Sequence, residues 1–147
     1  MKKVILILTL AVFNAAFLKA QIPLIAPPEK GDYLCLLSND STHFNLIFKN
    51  SRSVYFDYDI KTKKAGSKSK GSVQMIKDLF EEADKIDFPT IISEDGKKLF
   101  EGAEQRRYHY IEARRGTKVY KIVWDGYKED VITRDFHGLM GSMSSFW

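Results

Sequence analysis

The sequence predicts an α+β protein, with an antiparallel sheet of about five strands and two helices packed on one face. Three observations support this class. Segments with alternating apolar residues occur in pairs. Each pair is followed by one amphipathic segment of helical period. The order of these segments along the chain lacks the regular strand-helix-strand alternation of βαβ units. The predicted order is strand-strand-strand-helix-strand-strand-helix.

The N-terminal segment has the pattern of a secretory signal peptide. Two lysines follow Met1, an almost unbroken apolar run covers 4–18, and the small residue Ala20 precedes Gln21. The run is too short for a membrane span, which takes about 20 apolar residues. We therefore expect cleavage after Ala20, a secreted or periplasmic mature protein, and no integral membrane span after cleavage.

The sequence divides into a signal peptide at 1–20, an extended leader at 21–30 and a single domain at 31–147. Three prolines predict the extended leader, and the length of the remainder suits one hydrophobic core. Three of the 23 basic residues lie in the signal, which leaves 20 basic and 19 acidic residues and a net charge of +1. This balance lacks the basic footprint of a nucleic-acid-binding protein, so no nucleic-acid partner is predicted.

The single cysteine, Cys35, excludes an intramolecular disulfide. Small secreted domains often depend on such crosslinks, so this domain must be stabilised by packing. Cys35 lies within the apolar run from Tyr33 to Leu37, which predicts a strand and a buried thiol.

Two alternating segments, 44–48 and 54–60, predict a hairpin. A three-residue loop at 50–52 keeps the apolar residues of both strands on one face, whereas a two-residue loop mixes the faces. The predicted pairs are Phe48 with Val54, Leu46 with Phe56 and Phe44 with Tyr58. Ile47 opposite Tyr55 then lies on the other face.

The segment from Lys61 to Gly71 holds five lysines and few apolar residues, which predicts a loop. A solvated loop is the simpler interpretation of these lysines, and binding to an anionic surface is the alternative. Farther along, Ile91 and Ile92 are a candidate short strand.

Two amphipathic helices are predicted from apolar residues three and four apart. Ser72 can cap the first helix, and Pro89 ends it. Its apolar stripe contains Val73, Ile76, Leu79, Phe80, Ala83 and Ile86. The stripe of the second helix contains Ile132, Phe136, Leu139, Met140, Met143 and Phe146.

A second hairpin is predicted from the segments 107–114 and 118–124, which flank a two-residue turn at Arg115 and Gly116. The pairs on the side of the helices are His109 with Ile122, Ile111 with Tyr120 and Arg107 with Trp124. Those on the other side are Tyr108 with Val123, Tyr110 with Lys121 and Glu112 with Val119.

The sequence contains no hydrolase, metalloprotease or phosphate-loop motif and no Cys/His cluster, so we predict no catalytic residue, metal or cofactor. Asp57 and Asp59 share a strand face about 7 Å apart, with His43 opposite, as in a hydrolytic site. Alternating acids on a solvated face are the commoner explanation. Asp135 and His137 point to different sides of a helix and do not converge.

One sheet face is unusually aromatic for a solvated surface. The face turned away from the helices is predicted to carry Tyr55, Tyr108, Tyr110 and Lys121, together with Ile47, Val119 and Val123. Either a partner binds there, or the leader covers it with Ile22, Leu24 and Ile25.

The preferred function is a non-catalytic binding module for a protein or glycan partner, in an oligomeric state that the sequence leaves open. The alternatives are a structural or accessory protein of the envelope, or a hydrolase that uses Asp57, Asp59 and His43.

We predict that the exported protein begins at Gln21. Ala20 is the small residue that signal cleavage requires, although Lys19 and Leu18 fit the two preceding positions less well. The intact mass of the exported protein measures the cleavage site directly. A mature species that still carries residues 1–18 would contradict the prediction.

Overall fold

A computed structural model of the chain describes residues 25–38, 43–88, 91–92, 108–125 and 133–147. These residues form one sheet with two helices on one side of it. The predicted signal peptide, Ile22, Leu24 and the segment 93–107 lie outside the described residues. The elements are β1 (Tyr33–Leu37), β2 (Phe44–Phe48), β3 (Ser53–Tyr58), β4 (Ser67–Lys70), α1 (Val73–Asp84), β5 (Ile91–Ile92), β6 (Tyr108–Arg115), β7 (Lys118–Asp125) and α2 (Thr133–Ser144).

The α+β class is confirmed, and two short strands extend the predicted sheet. Its strand order is β4-β3-β2-β1-β6-β7-β5. Neighbouring strands are antiparallel, except that β5 pairs with β7 in parallel. The short strand at Ile91–Ile92 is confirmed, whereas the segment 67–70, predicted as loop, forms the edge strand β4. Strand β1 lies at the centre, between the two hairpins.

Both helices pack on the same side of the sheet. Ser72 caps α1, where its Oγ accepts a hydrogen bond of 3.1 Å from the backbone N–H of Met75. The helix residues buried in this core are Ile76, Leu79, Phe80, Ala83, Phe136, Leu139 and Met143. They are four of the six residues of the first predicted stripe and three of the six of the second, and Ile86, Met140 and Phe146 pack against the same core. Val73 departs from its stripe, because its side chain is 64% exposed.

The register of the β2–β3 hairpin differs from the predicted one because β3 contains a bulge. Ile47 pairs with Val54, which is the register of the rejected two-residue loop, but Phe44 pairs with Tyr58 as predicted. Asp57 is the extra residue; its φ is +51°, and its N–H donates to Asn45 Oδ1 over 3.1 Å. The bulge lets each part of the hairpin follow its own register.

The bulge also changes which residues face the helices. Ile47 and Val54 lie in the core beneath the helices, and Phe56 packs against it. The prediction placed Ile47 on the side away from the helices, and Phe44, Leu46, Phe48 and Tyr58 on the helix side, so it was wrong for these five residues. A second apolar cluster lies on the side of the sheet turned away from α1 and α2, which we call the outer face. It contains Ile25, Tyr33, Cys35, Phe44, Leu46, Phe48, Tyr58, Tyr110 and Val123.

The turn of the β6–β7 hairpin lies one residue later than predicted. Arg115 pairs with Lys118, so the turn residues are Gly116 and Thr117. Gly116 has a φ of +60°, a conformation that glycine adopts without steric cost. The predicted pair partners were therefore wrong. The faces were right, because the shift moves each partner by two residues, which is one full period of a strand.

We predict that α2 is part of the core and that deleting residues 136–147 abolishes cooperative unfolding. Phe136, Leu139 and Met143 are at most 2% exposed, and burying each stabilises the fold by about 1.5–3 kcal/mol. Their sum approaches a typical stability of about 5–15 kcal/mol. In thermal denaturation, Leu139→Ala should cost about 2–5 kcal/mol, and the control Asp135→Ala less than about 1 kcal/mol. A deletion variant that melts in one sharp transition at the original temperature would contradict this.

Candidate functional site

A single row of side chains crosses the outer face from one edge region to the other. Each member is the direct cross-strand partner of the next, from β4 through β3, β2, β1 and β6 to β7. In this order the row reads Lys68, Tyr55, Leu46, Cys35, Glu112 and Lys121. The centre of the row is fully buried, and both ends are more accessible. The row therefore has an apolar centre between two lysines, with one carboxyl group inside it.

Glu112 is the unusual member of this row, because its side chain is completely buried. The Tyr33 hydroxyl donates a hydrogen bond to Glu112 Oε1, and the Tyr110 hydroxyl donates one to Oε2. A buried carboxyl group without partners destabilises a protein by several kcal/mol, so two phenol donors are the compensation that makes this position tolerable.

Burial and Glu112 together keep the neighbouring acidic groups protonated. Burial raises the pKa of Tyr33, and the charge of Glu112 raises it further. The same two causes raise the pKa of Tyr110 and of the Cys35 thiol. The phenols therefore remain hydrogen-bond donors, and Cys35 remains a thiol rather than a nucleophilic thiolate. The prediction of a buried cysteine is confirmed.

Lys121 lies directly opposite Glu112 on β7 and is half-buried. Burial lowers the pKa of Lys121, and the nearby Glu112 carboxyl group acts in the opposite direction. A lysine on the rim of a buried carboxyl group can present its charge to solvent while its aliphatic stem packs on the sheet.

Part of the leader is docked on the outer face. Ile25 is 1% exposed and belongs to the outer-face cluster, and the hydroxyl of Tyr58 donates to the carbonyl oxygen of Ala26 over 3.0 Å. Glu29, which is four residues after Ile25, accepts hydrogen bonds from the hydroxyl groups of Ser51 at 2.6 Å and Tyr55 at 2.5 Å. The proposed covering of this face by the leader is thus observed for Ile25.

Glu29 is also held by the ammonium group of Lys68, at 2.7 Å. Desolvation would raise the pKa of Glu29, but the hydrogen bonds from Lys68, Ser51 and Tyr55 outweigh it and lower the pKa to about 2. Lys68 lies over the Tyr55 ring as well, 4.7 Å from its centroid. This group ties the leader to β3 and β4 throughout the physiological pH range.

Three of the four predicted binding residues, Tyr55, Tyr110 and Lys121, share one side of the sheet but differ in access. Tyr55 and Lys121 are partly exposed, Tyr110 is fully buried, and Tyr108 lies on β6 with a side chain outside the described residues. The predicted neighbours were wrong: Tyr110 pairs with Val123 instead of Lys121. Tyr55 and Lys121 lie on strands four positions apart, or about 19 Å. They mark two ends of a face rather than one contact point.

Three residues of this site were not among the predicted binding residues: Tyr33, Glu29 and Glu112. Tyr33 has the ordinary appearance of a strand aromatic, and Glu29 lies in a proline-rich leader. Glu112 offered a usable signal, since it is an acid on the predicted aromatic face, and an acid that becomes buried among aromatic side chains needs a hydrogen-bond partner.

Asp57 and Asp59, the acids of the alternative hydrolytic site, have structural roles in the bulge of β3 and in the turn that follows it. Asp59 accepts hydrogen bonds from the backbone N–H groups of Lys61 at 2.7 Å and Thr62 at 3.1 Å. These bonds lower the pKa of Asp59, whereas a general acid at neutral pH needs a raised one. Asp57 forms the bulge of β3.

Within the described part of the chain, no group of three or more His, Cys, Asp or Glu side chains could hold a metal ion. No helix there is long and apolar enough to cross a membrane. Comparisons with protein-family models, curated proteins and solved structures found no match to this chain.

We predict energetic coupling between the two phenols through Glu112. Tyr33→Phe and Tyr110→Phe should each reduce the free energy of unfolding by about 1–3 kcal/mol, because each removes a buried hydrogen bond to a carboxyl group. In a double-mutant cycle with Glu112→Gln, each pair should show a coupling energy of about 0.5–3 kcal/mol, measured by urea denaturation. Tyr120→Phe, on the helix side, is the control and should change stability little. Strictly additive effects would show that these hydrogen bonds do not stabilise the fold.

Proposed function

We propose that the protein is an exported, non-catalytic binding module whose outer face recognises a protein or glycan partner. Tyrosines support such a role because they offer a large contact area, little conformational entropy and a hydroxyl group. Tyr55 and Lys121 are the predicted binding residues with accessible surface, and Lys68 adds a second cation beside Tyr55.

The observation that carries this proposal is the docking of the leader itself. An extended segment lies on the outer face with a buried apolar side chain at Ile25 and an anchored carboxylate at Glu29. The face therefore has the chemistry to hold an extended chain or a polar ligand with acidic groups. A partner with acidic groups would compete with Glu29 for the same donors, Tyr55 and Lys68.

The predicted mature protein lacks residues 1–20. Residues 21–147 are therefore the form in which binding should be measured. Mutation of Tyr110 is unsuitable for this purpose, because its hydroxyl satisfies the buried Glu112. Tyr55 and Lys121 can be changed with smaller effects on the core.

We expect Tyr55→Ser combined with Lys121→Ser to weaken binding by at least about tenfold, or 1.4 kcal/mol. Immobilised residues 21–147 would be screened against an envelope extract and a glycan array, and each captured partner would then be purified and titrated by calorimetry. Thermal denaturation of the same variant checks that the fold is retained.

Lys118→Ser is the matched control for this test, because Lys118 is exposed at the end of the β6–β7 hairpin, away from Tyr55. It should bind as the wild type does. Equal affinities for the wild type and the Tyr55/Lys121 variant would refute a binding role for the outer face.

A further inference from the structure

The edge strand β4 is a candidate interaction surface that borders the outer face and shares Lys68 with it. It ends the sheet, pairs only with β3 among the described strands, and all four of its residues are exposed. An edge strand presents backbone N–H and C=O groups that can pair with another extended chain. Many peptide-binding domains use this mode, in which the backbone provides affinity and alternate side chains provide specificity.

The two sides of β4 differ in chemistry. Lys68 pairs with Tyr55 and Lys70 with Ser53, so both lysines lie on the outer-face side. On the helix side, the corresponding residues are Ser67 and Ser69. Small side chains there leave the neighbouring aromatic surface uncovered.

Two of the exposed large apolar residues of the described chain follow β4 in sequence, and the third contacts an aromatic residue of β3. They are Val73, Met75 and Trp147, which are 64%, 42% and 39% exposed. Val73 and Met75 belong to the first turn of α1, which follows β4 after Gly71 and Ser72. The ring of Trp147 stands 5.9 Å from that of Phe56.

Phe56 is in turn the cross-strand partner of Ser67. Trp147 therefore contacts the cross-strand partner of Ser67, and a strand added at β4 would place every second side chain on the side of the sheet where this aromatic pair lies. The remaining side chains of such a strand would point to the side of Lys68 and Lys70.

We infer that the β4 edge binds an extended peptide in which apolar and acidic residues alternate. The apolar residues would lie toward Phe56 and Trp147, and the acidic residues toward Lys68 and Lys70. Charge selects this partner over a second copy of the chain, because symmetric antiparallel pairing of two β4 strands would bring the lysines of both copies to one side.

The test uses residues 21–147 and a synthetic peptide of about eight residues in which glutamate and valine alternate. Calorimetry should give a Kd on the order of 100 μM or tighter, and amide NMR shifts should change mainly at residues 67–70. A peptide with lysine in place of glutamate should bind at least about tenfold more weakly, because like charges then face each other. A central proline should weaken binding similarly, because it removes a backbone donor.

Two protein variants test the two sides of the edge, one variant for each side. Lys70→Glu should weaken binding of the acidic peptide by about tenfold, and Trp147→Ser should do so by loss of apolar contact. Lys118→Glu, with the same charge change at the far hairpin, should leave the affinity unchanged. All three positions are exposed, so thermal melts should remain close to that of the wild type.

Several results would overturn the inference. They are the absence of binding at about 1 mM peptide, equal affinity for the lysine peptide, or amide shifts that leave residues 67–70 unchanged. Self-association in sedimentation experiments that Lys70→Glu alters would assign the edge to a second copy instead. Binding to vesicles with anionic headgroups that depends on Lys70 but not on Trp147 would assign it to a membrane surface.

Discussion

Burial of the central strands on both faces is the constraint on which the rest of this structure depends. All five residues of β2 are buried, as are the first four of β1. One side is covered by α1 and α2, and the other carries an aromatic cluster joined by Ile25 of the leader. Any polar group on either side must then find an internal partner, because water cannot supply one. Glu112 between Tyr33 and Tyr110 satisfies this requirement.

The same constraint explains which parts of the fold could be predicted from the sequence. The helices, with one buried and one solvated side, have apolar residues at helical spacing, and the stripes around Leu79 and Leu139 were readily assigned. The register of the first hairpin was predicted on the assumption that only one face is apolar. In β2 both Leu46 and Ile47 are buried, so alternation carried no information about which face either residue occupies. The bulge at Asp57 depends on a left-handed backbone and on Asn45, which periodicity does not reveal.

The candidate site was predicted only where it depends on strand period. Tyr55, Tyr110 and Lys121 were assigned to the correct side because their own strands alternate. Their partners were missed because they come from distant positions: Tyr33 precedes Glu112 by 79 residues, and Glu29 precedes Lys68 by 39. Such contacts depend on strand order, with β1 inserted between the two hairpins, and local sequence patterns do not determine that order.

Lys68 connects the leader to the sheet edge, and this has a consequence for binding. Its ammonium group is held by Glu29 at 2.7 Å and lies over the ring of Tyr55. An acidic strand bound at β4 would compete with Glu29 for this cation, which would weaken one of the polar anchors of the leader. By linkage, release of the leader would strengthen binding at the edge by the same factor. The outer face and the β4 edge would then be negatively coupled through one lysine, with Ile25 holding the leader in place when the ion pair is lost.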